Sequence, residues 1–232
     1  MQPEFDSSGA FDRRLEQLTP HLGLSLAAEQ RHRLLEYLAL IQRWTKVYNL
    51  TAVRSMDEMF THHLLDCLAV IAPLRRGLAA VANPRILDVG SGAGLPGAIL
   101  AILEPSWQVS CVDAVVKKAT FIRQVAAELG LPNLHGVHGR VEAKSTFGSQ
   151  RFDLITSRAF ASLKDFTTLT RPLLAANGCW AAMKANLSEA ERAEIPSDVS
   201  MFHVEQLEVP DLGATRCLVW MKPETTASAS DR

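Results

Sequence analysis

One stretch constrains this chain more than any other: Arg85-Ile86-Leu87-Asp88-Val89-Gly90-Ser91-Gly92-Ala93-Gly94-Leu95-Pro96-Gly97. It reads as a short apolar strand that reaches an acid, then glycines at alternate positions, then the start of a helix. Glycine has no Cβ and tolerates positive φ, so the chain can turn sharply while its backbone comes close to a bound molecule. A strand, a glycine turn and a helix N-terminus together form a nucleotide-cofactor platform at the carboxyl edge of a parallel sheet. The rest of the chain has to settle which cofactor sits there.

The periodicity supports that architecture. The chain divides near residue 80 into a helical N-terminal subdomain (1–80), a larger α/β domain (81–224) and a short polar tail (225–232) predicted to be frayed. From Glu29 to Tyr48, apolar residues recur at helical spacing, with Leu34, Leu38 and Ile41 on one stripe beside Tyr37, Trp44 and Tyr48. A second helix is predicted over Ser55–Pro73, with Met59, His63, Asp66 and Val70 sharing a face. Asn49-Leu50-Thr51-Ala52 connects the two, with Asn and Thr as caps. After residue 80, short apolar runs alternate with helical stretches. Strands are predicted at Arg85–Val89, Gln108–Asp113, Leu134–His138, Asp153–Ser157, Gly178–Lys184, Met201–Val209 and Thr215–Met221. Helices are predicted at Leu95–Leu103, Val115–Leu129, Leu163–Ala176 and Ser188–Ala193. Such alternation implies right-handed crossovers and a mostly parallel sheet, while Pro210-Asp211-Leu212-Gly213 joins the last two strands as an antiparallel hairpin.

Composition narrows the class. At 232 residues the chain can build a sizeable core, and 24 basic residues against 25 acidic ones exclude wholesale coating of a nucleic acid, though not a local basic face. Cys67, Cys111, Cys179 and Cys217 are scattered in apolar contexts, so they read as reduced core thiols. His62-His63 has no third ligand at zinc-like spacing, and no metal is expected. The first residues lack the basic start and apolar run of a signal peptide, and no run approaches a membrane span, so the chain reads as cytoplasmic.

Two acids bear on the choice of cofactor. Gly92-Ala93-Gly94-Leu95-Pro96-Gly97 satisfies the dinucleotide pattern GxGxxG, and a nicotinamide-dependent oxidoreductase is the alternative it raises. The frame that starts at Asp88, however, puts an acid two residues ahead of Gly90. An acid at the mouth of the site repels a pyrophosphate and suits S-adenosylmethionine, which carries an ammonium and a sulfonium and no phosphate. Asp113, ending the second strand, can accept hydrogen bonds from both hydroxyls of an adenosine ribose in either cofactor class. The blander readings are a capping or solvated acid for Asp88 and an N-cap of the following helix for Asp113.

These residues also carry a resemblance. Asp88–Gly97 (DVGSGAGLPG), Gly139-Arg140-Val141-Glu142 and Ser157-Arg158-Ala159-Phe160-Ala161-Ser162-Leu163 are similar to the glucose-inhibited division protein B family of bacterial 16S ribosomal RNA guanine-N7 methyltransferases. The likeness extends to Asn49–Arg54 and His63–Asp66 and so covers most of the chain. Departures are conservative: Cys67 where Ser is usual, Ala114 after Asp113 where Ser is common, and Asn186 where a Gly often follows the strand-end lysine. The resemblance implies a Rossmann-like class I methyltransferase sheet of seven strands behind the helical subdomain. It also implies cofactor contacts at Gly90, Leu95, Val141, Glu142 and Arg158, alongside Asp88, Gly92 and Asp113. Its substrate would be 16S rRNA, at position 527; whether as free RNA, a 30S subunit or an assembly intermediate stays open, and a monomer is expected.

Each position has a physical reading. Leu95 begins the helix whose N–H groups face the ligand, Val141 packs on adenine, and Glu142 alone reads as a solvated helix-start acid. Arg158 follows an apolar strand and emerges at the carboxyl edge, where its planar fork could engage the cofactor carboxylate or guanine O6. Guanidinium keeps its proton, so Arg158 cannot act as a general base, and N7, with a free lone pair, needs none. Arg54, His63 and Lys184 are candidate RNA contacts. Arg13-Arg14, Arg31, Arg33, Arg43 and Lys46 could add a phosphate-binding face, and Lys117-Lys118 read as a solvated helix end near the active edge. A non-catalytic RNA-binding module of the same fold is the third class.

Overall fold

The structure is a computed structural model that describes residues 8–224 apart from 159 and 161. The chain start, the expected frayed tail and two alanines of the SRAFASL run lie outside the described residues.

Two long helices, α1 (Ser8–Leu18) and α2 (Ala28–Tyr48), lead into a helical run over Met56–Met59, Phe60–Leu65 and Asp66–Leu68, whose middle turns are π-helical. Ser55, rather than Thr51, caps this run, its side chain accepting the Glu58 N–H at 3.2 Å. Asn49 ends α2 with φ at 52° and its N–H on the Thr45 carbonyl. The single helix expected over Ser55–Pro73 is therefore broken. It is π-bulged at Phe60–Leu65 and stops after Leu68, and the chain turns before α3 (Ile71–Gly77). Met59, His63, Asp66 and Val70 are all buried, as their common face requires.

Seven strands follow: β1 (Arg85–Val89), β2 (Gln108–Asp113), β3 (Leu134–His138), β4 (Phe152–Ser157), β5 (Leu174–Lys184), β6 (Val199–Leu207) and β7 (Arg216–Pro223). They form one sheet in the order β3-β2-β1-β4-β5-β7-β6. The first five pair in parallel, and β7 lies antiparallel to both β5 and β6. The predicted hairpin is present, but its second strand inserts between β5 and β6. Interleaved helices are α4 (Gly97–Leu103), α5 (Val116–Glu128), α6 (Lys144–Phe147), α7 (Leu163–Thr170) and α8 (Glu189–Ala193). The helix expected over Leu163–Ala176 ends at Thr170, six residues early. Pro172 supplies no N–H to continue it, and Leu174 already opens β5.

Strand alternation sorts the side chains into two cores. Ile86, Leu154, Ala181, Met183, Leu218 and Trp220 join the residues of α1, α2 and α4 on one face. Leu87, Ile155, Trp180, Ala182, Val219 and Met221 pack with Phe166 of α7 and Phe147 of α6 on the other. The period-two pattern is what lets a strand such as β1, buried along nearly its whole length, feed both layers. The N-terminal helices thus share a continuous core with one sheet face, which fixes their residues against the strand ends.

Candidate functional site

The glycine turn leaves β1 with Gly90 at φ 66° and Gly92 at φ 59°, and a Cβ at either would meet nothing within 4 Å. Glycine is required there by backbone conformation, and the space above both positions is open. Most amides of the turn are committed to the protein itself. The N–H groups of Gly90 and Ser91 donate to the Val112 carbonyl, Gly94 and Leu95 to the Ser91 carbonyl, and Ala98 to the Gly94 carbonyl. Gly92 N–H donates to Asp113 Oδ2 at 3.0 Å, and Gly97 N–H to Asp88 Oδ2 at 2.9 Å. A dinucleotide pyrophosphate needs free N–H groups at this place. Most of those here are already used, and the Asp113 carboxylate stands beside them.

Asp88 does not stand at an open mouth, as the sequence suggested. As the fourth residue of a buried strand it lies beneath the turn, fully buried. Gly97 allows this approach, because a Cβ there would sit 2.3 Å from Cys111 Sγ and 2.9 Å from Asp88 Oδ2. Burial pushes the Asp88 carboxyl up to about 7, against the Gly97 N–H and the Arg158 charge, which pull it down. Asp88 Oδ1 and Ser91 Oγ are buried without a partner among the described residues. Leu95 is also corrected: α4 starts at Gly97, and the Leu95 N–H is already used by Ser91.

Asp113, 7% exposed, ties the turn to β2. Its Oδ1 accepts the Val115 N–H at 2.9 Å, its Oδ2 the Gly92 N–H, and Lys118 Nζ lies 3.6 Å away. It is not the side-chain cap of α5, since Val115 occupies that position. Beyond β3, Val141 packs into the second core, whereas Glu142 is exposed and pairs loosely with Arg140 at 3.7 Å.

Arg158 leaves the end of β4 and meets the π-helical run. Its Nη1 donates to the His62 carbonyl at 2.9 Å and lies 3.5 Å from Asp66 Oδ2. The other Asp66 oxygen accepts from Arg216 Nε at 2.8 Å, so one buried carboxylate is shared by two guanidiniums 58 positions apart in sequence. Lys184, at the end of β5, pairs with Glu191 at 2.7 Å. His63 is buried, at the wall of the cavity between Arg158 and Lys184. Its Nε2 lies 2.8 Å from Thr51 Oγ1, and burial with the nearby Arg158 lowers its pKa to about 4. Arg54 is exposed and reaches back to the Thr45 carbonyl and Asn49 Oδ1, closing the end of α2. Among the described residues, no group of three or more His, Cys, Asp or Glu could hold a metal ion, and no helix is long and apolar enough to cross a membrane. All four cysteines are free.

Three residues carry more than their sequence patterns indicate. Tyr37, assigned to a helical stripe, is fully buried and donates its hydroxyl to the Ala93 carbonyl at 2.6 Å, within 3.1 Å of the Gly94 carbonyl. It anchors the glycine turn to α2. Asp66 could have been found as a charge on a core-facing helical position, which must be paired to be buried. Arg216, opening β7, carries no local signal at all.

The sequence profile of rRNA small subunit methyltransferase G matches residues 30–219. Ribosomal RNA small subunit methyltransferase G of Acidovorax sp. (strain JS42) is 52% identical over 224 residues, 94% of this chain and 97% of that protein. The protein of the same name from Albidiferax ferrireducens is 59% identical over 210 residues, covering 87% and 92%. Among solved structures, TrmN from Thermus thermophilus shares the fold, with a TM-score of 0.55 at 19% identity over 75% of this chain and 55% of that one. With an acid-bearing glycine turn whose amides are mostly spent on the protein itself, and relatives of this identity over nearly its whole length, the chain belongs to the rRNA small subunit methyltransferase G family.

Proposed function

We propose that the protein transfers a methyl group from S-adenosylmethionine to N7 of a guanine in 16S rRNA, acting as a cytoplasmic monomer on the RNA, the 30S subunit or an assembly intermediate. The observation that carries the reading is the glycine turn itself: open above Gly90 and Gly92, with most of its amides committed, Asp113 beside it and Asp88 beneath it. The residues fit this cofactor. Asp113 retains lone pairs for two ribose hydroxyls, and the orphaned Asp88 Oδ1 and Ser91 Oγ would lie near a ligand that brings cationic groups. Val141, at 8% exposure, would border the adenine, with the exposed Glu142 next to it. When bound, the cofactor supplies an electrophilic methyl on a sulfonium.

The residues of the chain then bind and orient. Guanine N7 attacks through an in-plane lone pair, so no side chain has to remove a proton first. Arg158, held by Asp66 and the His62 carbonyl, fixes the acceptor next to the cofactor half. Such positioning is worth on the order of several kcal/mol of the barrier. The N-terminal helices, with Arg54 on their exposed side and Lys184 at the adjoining strand end, form the platform for RNA.

Incubation with labelled cofactor and undermethylated 16S rRNA, followed by chemical cleavage at N7-methylguanosine, tests the reading. Cleavage at one nucleotide, position 527 by the family likeness, is expected. Absence of any cleavage from naked RNA, 30S subunits and assembly intermediates would leave only a binding module. Tight binding of NADH with none of S-adenosylhomocysteine would restore the oxidoreductase.

A further inference from the structure

Beside the cofactor half lies a cavity of about 290 Å³, lined by His62, Asp66, Arg158, Met183, Lys184 and Arg216 among others. It sits where β4 and β5 end and β7 begins, on the same edge of the sheet as the glycine turn. We propose that this cavity is a phosphate seat, which takes the backbone phosphate beside the target nucleotide and so delivers the base to the methyl group. The proposal rests on the RNA-methylating reading above and assigns the paired arginines to the phosphodiester instead of to guanine O6 or the cofactor carboxylate.

Charge counting favours a phosphate. Lys184 is neutralised by Glu191 at 2.7 Å. Asp66, 4% exposed, is the single carboxylate shared by Arg158 and Arg216. The lining therefore holds one positive charge in excess, with the two guanidinium side chains only 25% and 20% exposed. A partly buried, uncompensated charge is costly, and an incoming anion removes that cost.

The unused donors agree. Among the described residues, acceptors engage Nη1 of Arg158, and Nε and Nη1 of Arg216. The remaining guanidinium N–H groups are donors only, in the fork arrangement that matches phosphate oxygens. His63 adds a neutral donor. Thr51 Oγ1 accepts the Val53 N–H and can give its own proton to His63 Nε2, which leaves the ring proton on Nδ1, a buried atom with no partner among the described residues.

The chemistry argues against the base as occupant. Methyl transfer moves positive charge from the sulfonium onto the guanine ring, and a surplus cation against that ring would oppose the step. A phosphate cancels the surplus before the base arrives. Asp66 then acts as a positioning residue, holding the two forks at a fixed separation.

The test compares guanosine 5′-monophosphate with guanosine as ligands of the full chain holding S-adenosylhomocysteine, by titration calorimetry and phosphorus NMR. The monophosphate is expected to bind at least about tenfold more tightly, with a shifted phosphorus resonance. Arg216→Gln is expected to bring the two ligands to within about twofold while leaving S-adenosylhomocysteine affinity unchanged. Arg216→Lys keeps the charge and loses the fork, and is expected to lower the preference by about threefold or more; it serves as the deciding variant if a thermal melt shows Arg216→Gln unfolded. Equal binding of the two ligands by the unaltered chain, or a preference that survives these substitutions, overturns the proposal. Failure of methyl transfer to rRNA would sink the functional reading and leave this binding comparison standing. Intact transfer without a phosphate preference would sink the seat alone.

Discussion

The two halves of the active edge are built on opposite plans. The cofactor half is local: Asp88, the glycine turn and Asp113 lie on two adjacent parallel strands, and their hydrogen bonds span at most 21 positions between side chain and amide. The acceptor half is assembled from distance, with Arg158 meeting Asp66 and Arg216 meeting Asp66 across 150 positions. The first half presents acids to a cationic ligand, and the second presents arginines to an anionic one. Opposite fields side by side let one sheet edge hold both partners of a transfer reaction without confusing them.

Substitutions sharpen or break that division. The largest effect is expected for Arg158→Ala, which should slow methyl transfer by about 100-fold while S-adenosylhomocysteine affinity stays within about twofold. Single-turnover rates and calorimetry check this, and an equal loss of cofactor affinity would move Arg158 into the cofactor half. Asp113→Ala removes an acceptor of two backbone N–H groups and of the ribose. Cofactor binding should weaken by roughly 10- to 100-fold, with the phosphate preference untouched.

The pH dependence comes next. Asp88 titrates near 7 in the fold, above the ordinary carboxyl value, so the folded chain holds the proton more tightly than the unfolded one. Its contribution to stability is complete below about pH 4 and is lost as pH rises towards 7. Binding a cation favours the carboxylate, so cofactor affinity should rise about tenfold from pH 6 to pH 8, with proton release visible as a buffer-dependent enthalpy. Asp88→Asn should flatten that profile, and an unchanged slope would place the titration elsewhere. His63 runs the other way: its lowered pKa means stability complete above about pH 6.5 and lost as pH falls towards 4.

Tyr37→Phe probes the tie between the N-terminal helices and the turn. An orphaned buried carbonyl at Ala93 costs about 1–2 kcal/mol, a fall in Tm of about 2–8 °C. Smallest is Arg54→Ala, which should leave cofactor binding intact and reduce the salt dependence of RNA binding by about one counterion. No change in that slope would remove Arg54 from the RNA platform.

Legibility follows the same division. The alternation of strands and helices, the mostly parallel pairing and the acid-bearing turn are written as local periodicity, which backbone geometry turns directly into elements. What local pattern missed has physical causes. Pro172 ended a helix the hydrophobic stripe continued, the π-helical turns were invisible to a 3.6-residue period, and β7 could insert between β5 and β6 only because its two faces serve both cores. The helical stripe placed His63 with Met59, Asp66 and Val70, but only the fold shows how burial beside Arg158 lowers its pKa to about 4.

The sequence by itself determined the sheet, the turn and the class of ligand the turn accepts, because those depend on neighbours in the chain. The tertiary structure alone decided that Asp88 lies beneath the turn, that Tyr37 holds it, and that Asp66 joins Arg158 to Arg216. A buried charge takes its partner from whatever the fold brings within a few ångströms, and sequence separation carries no information about that distance.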